Sequence, residues 1–168
     1  MPDHKFWTHG VDAQIEYPHK VTDQSGNRPA HPQRAGWGTK VHQKGLPITD
    51  RNEDFNWFHF AIPTPTEIDD HKPVMIQAAY LNARIGPGAH LVEIHIREGA
   101  GNILHGEKPA GLTNKQINRT INFSRRKIHA PIVISVRVVF TTGAGSTPWV
   151  ILEGAGGTFK EPRPGVSY

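Results

Sequence analysis

The chain has 168 residues, enough for one ordinary domain with a full hydrophobic core. It contains no cysteine, which excludes disulfide frameworks, thiolate metal sites and cysteine nucleophiles. A formal charge of +4 is spread over scattered Lys and Arg and argues against a nucleic-acid interface, while 17 Gly and 14 Pro favour short strands and turns over helices.

No basic and apolar leader opens the chain, and no apolar run approaches the roughly 18 residues of a membrane span. The expectation is therefore a soluble protein, with its compartment left open. Residues 1 to 54 hold many turn formers, among them Pro18, Gly26, Pro29, Pro32, Gly36 and Gly38. They read as extended pieces and loops over the surface, with short strands near Lys5 to Thr8, Ala13 to Tyr17 and Trp37 to Gln43. Such an arm would look the same whether it lay on its own domain or on a neighbouring subunit.

Asn56 to Ile62 reads as a strand with Phe58, Phe60 and Ile62 on one face and Trp57, His59 and Ala61 on the other, covered in part on both sides. Pro63 and Pro65 end it. Val74, Ile76, Ala78 and Tyr80 then alternate, after which Leu81, Ala83 and Ile85 take the opposite parity, so a bulge is expected near Ala78 to Leu81. Val92, Ile94 and Ile96 point inward against outward Glu93, His95 and Arg97. Glu98 to Asn102 closes a hairpin into Ile103 to His105. Leu112 to Asn118 suits a helical turn or two, capped by Thr113 or Asn114. A strand at Ile121 and Phe123 leads into Arg125-Arg126-Lys127, read as a solvated corner. Ile132, Ile134, Val136, Val138 and Phe140 fall at every second position and mark a core strand, which a Gly-rich link joins to Trp149-Val150-Ile151-Leu152. The glycines at Gly154, Gly156 and Gly157 suit a tight bend or close strand packing.

The run from Asn56 to Pro65, the closing strand pair and Gly154-Ala155-Gly156-Gly157-Thr158-Phe159 together resemble an uncharacterised family of small microbial β-sandwich domains. The likeness spans Trp37 to Phe159. It implies the fold and carries over no activity or site residue.

Eleven His invite a metal hypothesis, but spacing weakens it. No His-x-His or His-Glu-x-x-His occurs, and His90 and His95 are five apart, which sends them to opposite faces of a regular strand. A metal site would have to be assembled in space, with His9, His59 and His95 as candidates, so no cofactor is predicted. Ser146 lacks the setting of a nucleophile elbow, and no catalytic set emerges. Asp69 and Asp70, with Glu67, form a weak structural-cation candidate. The aromatic residues are the strongest functional lead, because sugar rings rest their C–H faces on exposed Trp or Tyr beside hydrogen-bonding side chains. Trp7, Trp37, Trp57 and Tyr80 are candidates, with His95 and Arg97 as polar neighbours. For Trp57 and Trp149 the competing role is to fill the core; Trp7 and Trp37, set among polar and Gly residues, are expected to be partly exposed.

Fold class is all-β: a single two-sheet antiparallel β-sandwich over residues 1–168, jelly-roll-like, with an extended N-terminal part (1–54), a core (55–160) and a tail (161–168). The first functional expectation is a non-catalytic, lectin-like module that binds carbohydrate. The second is a self-assembling homo-oligomer that joins neighbours through its N-terminal arm and tail. The third is a metalloenzyme built on a His cluster.

Overall fold

A computed structural model describes residues 3–47, 54–65, 67–68, 72–99, 101–110, 112–142 and 145–161. The Asp69-Asp70 pair and the tail from Pro162 onward lie outside these residues. The strands are β1 (His4–His9), β2 (Gln14–Ile15), β3 (Val21–Thr22), β4 (Gln33–Ala35), β5 (Gly38–Gln43), β6 (Asp54–Ile62), β7 (Glu67–Ile68), β8 (Lys72–Ile85), β9 (Ala89–Glu98), β10 (Asn102–Glu107), β11 (Lys115–Ile128), β12 (Ile132–Phe140) and β13 (Trp149–Lys160). Two single 3-10 turns, Gly10–Asp12 and Pro18–Lys20, are the helical pieces among the described residues. No helix among them is long and apolar enough to cross a membrane.

The strands form two antiparallel sheets, so the protein is a β-sandwich. The first runs β11-β8-β13-β5-β3 and the second β10-β9-β12-β6-β2. The far edge of β13 is shared end to end. Its first half, Trp149 to Leu152, pairs with β5, and its second half, Gly154 to Phe159, pairs with β1. Between the sheets lie Phe58, Phe60, Phe140 and Phe159, all fully buried, with Ile94, Ile96, Ile134, Val136 and Leu81 around them. Each such side chain contributes about 1.5–3 kcal/mol by leaving water, which is why the alternating runs of β6 and β12 dominate the core.

The N-terminal residues are built into this body. They supply β1, β3, β4 and β5 to the first sheet and β2 to the second, and Ala13, Val21 and Val41 enter the core. A buried polar clamp fixes the path of the chain. Asn56 Nδ2 donates to Tyr17 O and to Gln43 Oε1, both at 3.0 Å, and Asn56 Oδ1 accepts from Tyr17 N at 3.0 Å.

Four expectations need correction. The bulge in β8 falls at Gln77, because Ala78 pairs with Thr158 while Ile76 pairs with Phe159. Ala79, Leu81, Ala83 and Ile85 therefore face inward, and Tyr80 faces out. In β9, Val92 is the extra residue opposite Arg137 and Val138, so Leu91 takes the buried place expected of Val92. Residues Lys115 to Asn118 begin the long edge strand β11 instead of a helix. There Ile117 and Ile121 are buried four apart with exposed Arg119 between them, bonded to Glu107, which imitates a helical spacing. Finally, Trp57 and Trp149 stay out of the central core. Trp57 is half-buried on the outer face of the second sheet, while Trp149 packs under Gly86 with Lys40 Nζ 5.1 Å from its ring centroid.

Candidate functional site

The sheet register divides the sequence-predicted residues between the two outer faces of the sandwich. On the first sheet, Trp7 pairs with Gly156 and Gly156 pairs with Tyr80, so two aromatic side chains leave the same face with a bare glycine between them. They lean together over that gap. The ring centroids stand 5.2 Å apart at an interplanar angle of 17°, a stacked pair. Gly156 is required there, since a Cβ would come within 2.4 Å of Phe6 O and 2.9 Å of Trp7 Cδ2. The Tyr80 hydroxyl and Thr158 Oγ1 share a short hydrogen bond that fixes the inner ring of the stack. Trp7 remains 48% exposed.

Around this stack the face is polar. The next row is His9, Gly154, Asn82 and Asn118, and Thr120 continues the row of Tyr80. The side chains of Asn82, Asn118 and Thr120 make no hydrogen bond among the described residues and are open to solvent at least in part. Farther along, Glu153 is already engaged: Gln116 Nε2 donates to its Oε2 at 2.6 Å, and Arg84 Nε lies 2.7 Å from its Oε1 as a charge pair, not an aligned hydrogen bond.

Trp37 lies at the tip of the β4–β5 hairpin and is 41% exposed. Gly38, at φ 122°, lets the hairpin settle on β13, because a Cβ there would meet Leu152 O at 2.0 Å. His9 Nε2 lies 3.1 Å from Gly36 O, which ties this tip to the end of β1. Trp7, Tyr80 and His9 thus share one face, and the hairpin tip that carries Trp37 lies beside His9.

Trp57, His59, His95 and Arg97 belong to the outer face of the second sheet. Trp57 has the His59 ring stacked at 6.4 Å and the His95 ring tilted at 5.1 Å. His95 Nε2 donates to Glu93 Oε1 at 2.8 Å and Nδ1 accepts from Arg97 Nη2 at 3.4 Å, a pattern that specifies the Nε2–H tautomer. Arg137 sits 4.3 Å above the Phe55 ring and 3.9 Å from Glu93 Oε2. Polar groups here are committed to one another, so the face is a supporting network that a ligand would have to break. His59 also contacts Ser135 Oγ at 2.9 Å and Glu16 Oε2 at 3.4 Å, a Ser-His-Glu line. Ser135 is only 2% exposed at mid-strand, closed to a substrate, so the line reads as structural.

The metal candidates separate in the same way. His9 is on the first sheet, and His59 and His95 lie on the second with Ser135 between them in the row. Among the described residues no group of three or more His, Asp or Glu is placed to hold an ion. Reasoning from sequence missed the contribution of Gly156 and the free amides of Asn82 and Asn118; the alternation of Tyr80, Asn82 and Arg84 was the available signal, displaced by the misplaced bulge.

The chain belongs to a family of unknown function, DUF6623, whose model matches residues 1–146. A search of curated proteins finds no match. Among solved structures it is similar in fold to TmCBM61 in complex with β-1,4-galactotriose, with a TM-score of 0.48 and 13% identity over 92% of this chain and 91% of that one. It is also similar to a Podospora anserina GH26-CBM35 β-(1,4)-mannanase, with a TM-score of 0.39 and 12% identity over 96% of this chain and 29% of that one. A family 11 carbohydrate-binding module from Clostridium thermocellum, in complex with a mixed-linked tetrasaccharide, matches with a TM-score of 0.34 and 11% identity over 92% of this chain and 87% of that one.

Proposed function

We propose that the protein is a non-catalytic carbohydrate-binding domain whose contact surface is the outer face of the first sheet around Trp7. The observation that carries the reading is the Trp7–Tyr80 stack across Gly156, its indole half-exposed on a face whose amide and hydroxyl groups at Asn82, Asn118 and Thr120 are uncommitted. A sugar ring offers two surfaces, apolar C–H faces and polar hydroxyl edges. An exposed indole suits the first, and side chains that both donate and accept suit the second. Tyr80, fixed by Thr158, holds the indole in a defined orientation, which lowers the ordering cost of binding.

The test is a screen of soluble and insoluble polysaccharides by affinity electrophoresis and pull-down, followed by calorimetry with the best ligand. Trp7→Ala is expected to weaken binding at least tenfold, while Trp57→Ala on the opposite face leaves it unchanged. Equal affinity in wild type and Trp7→Ala, or no polysaccharide bound by the wild type, overturns the reading.

A further inference from the structure

The same outer face carries a second feature, where β3, β4 and β5 enclose a cleft of about 440 Å³ lined by Thr22, Asp23, His31, Gln33, Lys40 and His42, among others. Register builds it. Thr22 pairs with His42 and Gln33 with Lys40, so these four side chains leave one face in neighbouring rows. The rim is a closed turn. Asp23 N donates to Arg28 O, Gly26 N to Asp23 O and Ala30 N to Val21 O, each at 3.0 Å, and Gly26 takes the φ of 73° that the turn needs. Ser25 Oγ donates to Asp23 Oδ1 at 2.7 Å, which holds the carboxylate in place.

His42 is 7% exposed, yet neither of its ring nitrogens makes an aligned hydrogen bond, the ring reaching only the Thr147 backbone, and Thr22 Oγ1 lacks one as well. Buried polar groups without an aligned partner are rare in folded proteins, so a half-engaged imidazole and an unpaired hydroxyl on two side chains that line one cleft mark a place for a polar guest. The guest's charge follows from the walls. One carboxylate, Asp23, opposes one ammonium, Lys40, and the described residues offer no cluster that would hold a metal ion. Burial, then the Lys40 charge, holds the His42 pKa below the ordinary imidazole range, favouring the neutral ring. A neutral imidazole presents one donor and one acceptor, as hydroxyls do. The volume lies in the lower part of the range of small-molecule pockets.

We infer that this cleft binds one ring of a neutral sugar through His42, Thr22, Lys40 and Asp23, as a site separate from the Trp7 platform. Along β13 the two features lie on the same face, with the row of Trp149 meeting His42 and the row of Gly156 meeting Trp7. Seven residues of strand place those rows about 20–25 Å apart.

The full chain is titrated with the methyl glycosides of glucose, galactose, mannose and N-acetylglucosamine while the His42 ring signals, assigned with His42→Gln, are followed by NMR. Inorganic phosphate and calcium chloride serve as comparison probes. At least one glycoside is expected to move the His42 signals saturably, in Trp7→Ala as well as in the wild type. Lys40→Ala and the near-isosteric Thr22→Val are each expected to weaken that response tenfold or more. The inference is overturned if no glycoside moves His42, if neither variant weakens the response, if Trp7→Ala abolishes it, or if phosphate or calcium binds in preference. Failure of the platform reading looks different, since it is scored on polysaccharide binding by Trp7→Ala with the His42 response intact.

Discussion

Replacing Gly156 by Ala tests the candidate platform and the fold that carries it at once. The new Cβ would stand 2.4 Å from Phe6 O and 2.9 Å from Trp7 Cδ2. Ordinary carbon–oxygen contacts between strands are about 3.3–3.6 Å, so β1 must retreat by about 1 Å or the Gly156 backbone must twist away. Overpacking of this kind costs about 1–3 kcal/mol. In a domain of this size that corresponds to a fall in Tm of about 3–10 °C. Gly154, two residues earlier on the same strand and face, provides the control. Its Cβ would lie 3.1 Å from Thr8 O with nothing else closer than 3.9 Å, so Gly154→Ala asks for a shift of a few tenths of an ångström. Its expected cost is under about 1 kcal/mol, below the range for overpacking, because a single neighbour has to give by a few tenths of an ångström. Thermal unfolding followed by near-UV circular dichroism reads both quantities, because the Trp7–Tyr80 stack contributes to the aromatic signal. Gly156→Ala should lower Tm, alter the native aromatic spectrum and weaken polysaccharide binding; Gly154→Ala should do none of these appreciably. Equal effects of the two substitutions would refute the argument that Gly156 exists to seat Trp7.

Three further outcomes are expected. Asn56→Ala removes three bonds of the buried clamp and strands the Tyr17 amide and carbonyl, so urea denaturation should show a loss of about 3–5 kcal/mol; a loss below about 1 kcal/mol would mean that water or a neighbour takes the place of the amide. His42 is held below the usual imidazole pKa when folded, so as pH falls below about 6.5 the unfolded chain takes up the proton first and folding stability drops with falling pH. His42→Gln should flatten that part of the stability–pH curve, and identical slopes would show that His42 contributes nothing to it. Gly38→Ala sets a Cβ 2.0 Å from Leu152 O at a φ of 122°, and should dislodge the hairpin tip that carries Trp37, read as a cooperative Tm decrease with a shift in Trp emission; an unchanged Tm would refute it.

The sequence was most informative where a single face is buried and the period of two is undisturbed. Ile132, Ile134, Val136, Val138 and Phe140 are all buried as their alternation requires, and Phe58, Phe60 and Ile62 match them across the β6–β12 ladder. The errors cluster where one residue is inserted. At Val92 and Gln77 a bulge changes parity, and no residue type signals which of several neighbours is the extra one. That uncertainty decided the candidate site, because moving the β8 bulge is what turns Tyr80 outward. Trp57 illustrates a different limit. Its volume suits a core, yet the core positions of β6 belong to the opposite parity, and the histidines that cover it come from its own strand and from β9. The pairing of β1 with β13 brings together residues some 150 positions apart, a distance at which local pattern holds no information about partners. For the same reason the sequence offers Trp7, Trp37, Trp57 and Tyr80 together as platform residues, and only the register pairs Trp7 with Tyr80 and leaves Trp57 on the other sheet.

The two ends of the β1–β13 ladder differ in what they can withstand. His4 stands against Phe159, and Lys160 Nζ lies 2.8 Å from Asp3 Oδ1, so the start of β1 and the end of β13 share a corner. A load drawing those two strand ends apart would open the ladder like a zipper, breaking one small group of hydrogen bonds after another instead of shearing them together. Trp7 is the fourth pair from that corner. Tension applied there would therefore act on the seat of the indole over Gly156 after only three pairs had opened, before it reached Thr8 and His9 farther along the ladder.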